Sequence, residues 1–78
     1  MKVEILADEI NISHGALTLR IAMLRVEEGE PDVIVSLDAI ETWDPPGQGP
    51  EVTMEDLQNI AVAIETACEK AGLDVEFE

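Results

Sequence analysis

Basic residues are scarce in this chain. Four lysines and arginines stand against 18 aspartates and glutamates, which gives the 78 residues a formal net charge of −14 at pH 7. A chain of that charge repels nucleic-acid phosphates and anionic membranes, so neither is an expected partner. Basic proteins are expected partners, because complementary charge accelerates association. The alternative interpretation is that the acidity serves only solubility.

Cysteine is also scarce, and long apolar runs are missing. The chain holds one cysteine, which cannot form an internal disulfide. Cys68 lies among apolar residues at helical spacing, so we expect a buried, inert thiol. No apolar run approaches membrane-spanning length and the N-terminus does not resemble a secretory signal. Together these features predict a cytoplasmic protein.

Aromatic residues are nearly absent, with one Trp, one Phe and no Tyr. The core must therefore consist of Val, Ile, Leu, Ala and Met. The length predicts a single domain over residues 1–78, and a domain of this size buries only about 60% of its unfolded surface. Modest stability is expected unless a partner or a second copy supports the fold.

Residues 53–72 have the pattern of an amphipathic helix. Thr53 is a suitable N-cap, and Asp56 three residues later can complete a capping box. Gly72 stands where a left-handed residue ends a helix, and Leu73 can reach back to Cys68. The apolar residues recur every three or four positions and form one stripe. They are Leu57, Ile60, Ala61, Ile64, Ala67, Cys68 and Ala71.

Alternation of apolar and polar residues predicts strands elsewhere. Three are expected in the first half of the chain, over residues 2–12, 17–26 and 33–37. A bulge or short break near 7–9 would reconcile a change of phase in the first strand. Residues 73–77 form a last short strand, parallel by direction counting to the first and third. The expected fold is α+β: an antiparallel β-meander packed on one C-terminal α-helix, with a short final β-strand.

No pattern indicates catalysis or a bound cofactor. His14 is the single histidine and falls in a predicted turn, where we expect a solvated side chain. The acidic residues of 27–32 lack the alternating ligands and central Gly of a calcium loop. Phosphate-binding loops and paired-cysteine motifs do not occur. We therefore predict a non-enzyme without catalytic residues, metal or cofactor.

The most informative segment is 38–50, which ends in a Pro/Gly-rich loop. The single Trp stands just before two prolines, which restrict the backbone. We expect its ring to cover the end of the helix–sheet core and the nearby acidic side chains to face a partner. The candidate partner-binding residues are Asp38, Glu41, Trp43, Asp44, Pro45 and Pro46. A second candidate acidic patch consists of Glu27, Glu28 and Glu30.

Four features carry a resemblance to a known family. They are Asp38-x-Ile40-x-x-Trp43-Asp44-x-Pro46, the Gly/Pro loop before Thr53, Ile60-x-x-x-Ile64 and the closing Gly72-x-Asp74-Val75-Glu76-Phe77. Over residues 33–77 the chain resembles small bacterial immunity proteins that accompany polymorphic or contact-dependent toxins. The resemblance implies a protein that binds and neutralises a toxin domain in the producing cell. Many such toxins are nucleases with cationic active sites.

Two functions from different classes therefore remain open. The first is a non-catalytic immunity protein that occludes a basic toxin domain, possibly a nuclease domain. The second is a small acidic structural or scaffold subunit, monomeric or homodimeric, whose charge serves solubility only. An enzyme is the least favoured class, and the sequence identifies neither the toxin nor its chemistry.

Overall fold

The computed structural model describes residues 1–37, 40–45 and 47–78. Within them the elements are β1 Lys2–Ile5, β2 Glu9–His14, β3 Leu17–Arg25, β4 Val33–Val35, α1 Met54–Lys70 and β5 Val75–Phe77. The strands form one sheet in the order β1-β2-β3-β4-β5. The first four are antiparallel, whereas β5 runs parallel to β4, with α1 as the crossover between them. The expected α+β fold is confirmed.

The predicted first strand is wrong in one respect, since it is a hairpin of two strands. Val3 lies opposite Ile12 and Ile5 opposite Ile10, so all four side chains share one face of the sheet. The Leu6 N–H donates to the Glu9 carbonyl at 2.9 Å and closes the turn. Alternation of apolar and polar residues indicates the face of the sheet on which a side chain lies, but it does not indicate whether the chain reverses direction. The last strand is parallel to β4 as predicted, and it runs opposite to β1.

The inner face of the sheet carries the core. Ile12 lies opposite Leu19, Ile10 opposite Ile21 and Met23 opposite Val35, and all six are buried. α1 places its fully buried side chains on this surface, and they are Ile60, Ile64 and Cys68. Burying one Ile or Leu side chain contributes roughly 1.5–3 kcal/mol, so this contact between the two layers is the main source of stability.

Both ends of α1 have the predicted caps. The Asp56 N–H donates to Thr53 Oγ1 at 3.1 Å, and the Thr53 N–H donates to Asp56 Oδ2 at 3.3 Å. At the other end the Leu73 N–H donates to the Cys68 carbonyl at 2.8 Å and the Gly72 N–H to the Glu69 carbonyl at 3.0 Å. These two bonds are a Schellman motif, and Gly72 supplies its positive φ of 74°.

The other face of the sheet, here called the outer face, faces away from α1. Among the described residues no helix lies on it, and no helix is long and apolar enough to cross a bilayer. β3 links two halves of the sheet, because residues 17–22 pair with β2 and residues 23–25 pair with β4. β4 does not pair with residues 17–22, and the segment after β4 contacts β3 there, since the Asp44 N–H donates to the Thr18 carbonyl at 2.8 Å.

Candidate functional site

The segment between β4 and α1 forms a closed loop, here called the Trp loop, whose described residues are 40–45 and 47–52. Its two ends pair with each other through an antiparallel bridge between Thr42 and Glu51. The Trp43 N–H donates to the Pro50 carbonyl at 2.9 Å, and the Val52 N–H donates to the Glu41 carbonyl at 3.0 Å. Main-chain hydrogen bonds therefore determine where the side chains of this loop stand.

The tip of the Trp loop is equally restrained. The Pro45 carbonyl accepts from the N–H groups of Gln48 and Gly49 at 3.0 and 2.9 Å, and the Gly47 N–H donates to Thr42 Oγ1 at 2.9 Å. Gly49 is required by close approach, because a Cβ atom there would lie 2.7 Å from the Trp43 carbonyl carbon and 2.9 Å from the Asp44 carbonyl oxygen. Both are backbone atoms, so a larger residue would displace the main chain.

Trp43 covers one end of the core, as predicted for its ring. Its side chain is 1% exposed and stacks on His14, with the ring centroids 6.3 Å apart and the planes inclined by 23°. His14 is exposed, as expected for a solvated side chain, but it ends β2 instead of lying in the turn, and its contact with Trp43 was not predicted. His14 ends β2 in the same phase as Ile10 and Ile12, which places it on the side of the sheet where Trp43 lies. That phase is the sequence signal for the contact.

Asp44 is held at the outer face of the sheet. Its Oδ2 lies 3.8 Å from Arg20 Nε, and the two side chains are 23% and 66% exposed, respectively. Within the described ranges this is the one ion pair, and a surface pair of this kind contributes about 0–1 kcal/mol. Arg20 was not predicted as part of the site, and no local pattern in the sequence indicates that it meets Asp44.

The remaining candidates lie apart from one another. Glu41 and Pro45 are exposed on the Trp loop, whereas Asp38 and Pro46 lie outside the described residues. The second acidic patch, Glu27, Glu28 and Glu30, is exposed in the turn between β3 and β4. Asp44 contacts the start of β3 and this patch follows its end, so the rise of the strand separates them by roughly 23 Å. The two acidic regions therefore lie at opposite ends of β3.

The chemistry of the other reactive groups is limited. No cluster of three His, Cys, Asp or Glu side chains suited to a metal occurs in the parts of the chain that the structure describes. Cys68 is fully buried on α1, as predicted. Burial raises the pKa of the Cys68 thiol, and the charge of Arg25 lowers it by less. The thiol therefore stays protonated at neutral pH and is a poor nucleophile.

Comparison with known proteins identifies the family to which the chain belongs. A family profile described as Immunity protein 74 matches residues 2–78. The chain belongs to the Immunity protein 74 family. The match covers all five strands and α1, so it extends the resemblance, which rested mainly on residues 33–77, to nearly the whole chain. No curated protein and no solved structure matches this member of the family. Membership indicates an immunity role and hence a toxin as partner.

Proposed function

We propose that this Immunity protein 74 family member binds a cationic toxin domain in the cytoplasm of a bacterial producing cell and occludes its functional surface without catalysing a reaction. The observation that carries the proposal is the family match over residues 2–78 in a chain of net charge −14. A nuclease is the toxin class that fits best, because an active site that binds phosphates is cationic and an acidic protein can compete for it.

The Trp loop is the proposed anchor of the complex. Its backbone is already held by hydrogen bonds at its base and tip, so binding would cost little conformational entropy. The buried Trp43 ring supports the loop from below, and the exposed Glu41 and Pro45 face outward. Asp38 and Pro46 complete the predicted set of contacts.

Asp44 is the residue of the Trp loop whose carboxylate is best placed to pair with a cation of the partner. Its carboxylate is three-quarters buried and has one cation near it, at the long distance of 3.8 Å. Arg20 is mostly exposed and can turn away. A lysine or arginine of the toxin would take the place of Arg20 and form a desolvated charge pair, which controls the dissociation rate of a complex.

The turn patch, Glu27, Glu28 and Glu30, has a different proposed role. Its side chains are exposed and stand roughly 23 Å from the anchor, beyond the Debye length of about 8 Å at physiological salt. Charges at such a distance act on the approaching partner and on the association rate, and they affect the lifetime of the complex little.

The experiment measures association and dissociation rates with a purified toxin domain encoded by a gene adjacent to that of this chain, at low and high salt. Asp44→Lys is expected to shorten the lifetime of the complex, with a cost of about 2–5 kcal/mol in affinity. Glu28→Lys is expected to slow association modestly and to flatten its salt dependence. Glu65→Lys, an exposed charge reversal on α1, is the matched control for net charge.

Unchanged rates for both Asp44→Lys and Glu28→Lys would contradict the electrostatic model. Absence of binding by the wild type, together with a mass near twice that of the monomer at high concentration, would favour the alternative of an acidic scaffold subunit. All three variants are expected to remain folded, because the exchanged side chains lie outside the core.

A further inference from the structure

The outer face of the sheet holds an uncharged strip in a strongly acidic protein. We call Ala22, Leu24, Ile34 and Ser36 the outer strip. Leu24 lies directly opposite Ile34 in the β3–β4 pairing. The Leu24 side chain is 63% exposed although it is large and apolar, and Ile34 beside it is half-buried. A shallow depression of about 300 Å³ lies between the members of the outer strip, so the strip is concave and not flat.

Acidic residues stand on both sides of the outer strip. The register places Glu9 of β2 beside Ala22 and Glu76 of β5 beside Ile34. The Glu78 carboxylate accepts a hydrogen bond from the Ser36 hydroxyl at 3.3 Å. Neighbouring strands are about 4.8 Å apart, so these carboxylates form an acidic rim on two sides of the apolar centre, and Arg20 lies next to Ala22 on the same face of β3. An apolar centre within a polar rim is the usual anatomy of a protein–protein interface.

The outer strip is continuous with the Trp loop. A depression of about 320 Å³ is lined by Arg20, Ala22 and Ser36 on the sheet side and by Thr42 and Asp44 on the loop side. A partner bound at Asp44 can therefore contact the outer strip through this shared depression. β3 extends about 27 Å along the outer face, and the four spacings between the five strands give a width of about 19 Å. The outer face and the Trp loop together therefore approach the roughly 800 Å² that one partner contributes to a standard interface.

The charge of the outer face indicates which kind of partner can bind there. A second copy also carries −14, and a two-fold pairing through the outer strip would bring the two acidic rims together. Nucleic acids and anionic membranes are repelled for the same reason. The charge that complements the rim is positive, and the group that complements Leu24 and Ile34 is apolar.

We infer that the outer strip forms the centre of the interface with the toxin domain, and that the toxin presents to it an apolar side chain surrounded by lysines and arginines. The inference rests on the proposed function and names the surface that performs it. Leu24 fills a pocket of the partner or lies against its apolar residue, while Glu9, Glu76 and Glu78 pair with the surrounding cations. The Trp loop then forms one side of a larger contact surface.

The chain offers a matched control for Leu24. Val62 on α1 is also apolar and also 63% exposed, but it lies on the side of the helix that faces away from the sheet. Leu24→Lys and Val62→Lys thus change the net charge equally and remove equally exposed apolar side chains on opposite sides of the molecule. Both substitutions are at exposed positions, so unfolding midpoints in urea close to that of the wild type are expected.

The experiment titrates each variant against the same purified toxin domain. Leu24→Lys is expected to weaken binding about 100-fold, as loss of a central contact does, and Leu24→Ala about 10-fold. Val62→Lys is expected to weaken it less than 3-fold. Gel filtration of the chain alone, with and without Leu24→Lys, tests self-association through the same face.

Each outcome separates the inference from the function on which it rests. Selective loss of binding in the Leu24 variants supports the inference. Wild-type affinity in Leu24→Lys, or equal weakening by Leu24→Lys and Val62→Lys, overturns it while the immunity function stands. A dimer of the chain alone that Leu24→Lys dissociates also overturns it, because a second copy would then occupy the strip. If the wild type does not bind the toxin domain, both the proposed function and the inference are contradicted.

Discussion

α1 and the Trp loop lie side by side in the chain but are held in place in different ways. α1 is specified by its own residues, because its capping box, its Schellman end and its apolar stripe all lie within residues 53–73. The Trp loop has no regular secondary structure, and it is held by bonds to itself and to Thr18 and Arg20 of β3. A stiff surface therefore does not require a helix or a strand when its main chain is bonded at the base and the tip.

The two regions also differ in the source of their stability. α1 buries Ile60, Ile64 and Cys68 completely, and burial contributes roughly 1.5–3 kcal/mol for each large side chain. The hydrogen bonds of the Trp loop contribute about 0.5–1.5 kcal/mol each. Substitutions in α1 should therefore affect the whole fold, whereas most substitutions in the loop should act locally.

The largest effect is expected for Ile64→Ala. The side chain is fully buried between α1 and the sheet, so its truncation should lower the free energy of unfolding by about 2–5 kcal/mol. In a chain of 78 residues that is a large part of the total free energy of unfolding. Urea unfolding followed by circular dichroism measures it, and a midpoint that does not move would mean that this face of α1 is not the core.

Gly49→Ala should cost less and act on the loop. A Cβ atom at this position meets the backbone of Trp43 and Asp44, so the tip must move, at a cost of about 1–3 kcal/mol. Because the chain has one Trp, its fluorescence reports the movement, while the helical circular dichroism should stay near that of the wild type. Unchanged Trp emission would show that the approach is not as close as described.

A smaller loss of stability is expected from removing the N-cap of α1. Thr53→Ala removes the acceptor for the Asp56 N–H and should destabilise the fold by about 1 kcal/mol. Thr53→Ser retains the hydroxyl and is the matched control. If Thr53→Ala and Thr53→Ser have equal midpoints in urea, the capping box contributes nothing measurable.

The smallest effect is expected for Arg20→Ala. The Arg20–Asp44 pair is 3.8 Å long and mostly exposed on the arginine side, so its loss should cost at most about 1 kcal/mol and less at high salt. If Arg20 occupies the place of a toxin cation, the same variant should bind the toxin domain at least as tightly as the wild type. Weaker binding by Arg20→Ala would show that Arg20 itself contacts the partner.

Local patterns predicted α1 with its two caps, and they predicted the buried Cys68 and Trp43. They did not predict the hairpin of β1 and β2, whose turn holds Ala7 and Asp8 and carries neither Gly nor Pro. They also did not predict the contacts His14–Trp43 and Arg20–Asp44, because those depend on segments that only the folded sheet brings together. The candidate contacts of Glu41, Asp44 and the turn patch remain predictions.

The fold class, the helix, the aliphatic core and the acidity follow from local features of the sequence, because hydrophobic periodicity, capping residues and charge are properties of neighbouring residues. The pairing of the strands, the bonding of the Trp loop to β3 and the set of exposed apolar residues depend on contacts between distant segments. Leu24 illustrates the difference. In the sequence it falls out of phase with Leu17, Leu19, Ile21 and Met23, which suggests a bend in the strand. In the structure β3 continues through Leu24, and the placement of α1 on the opposite face leaves the side chain exposed.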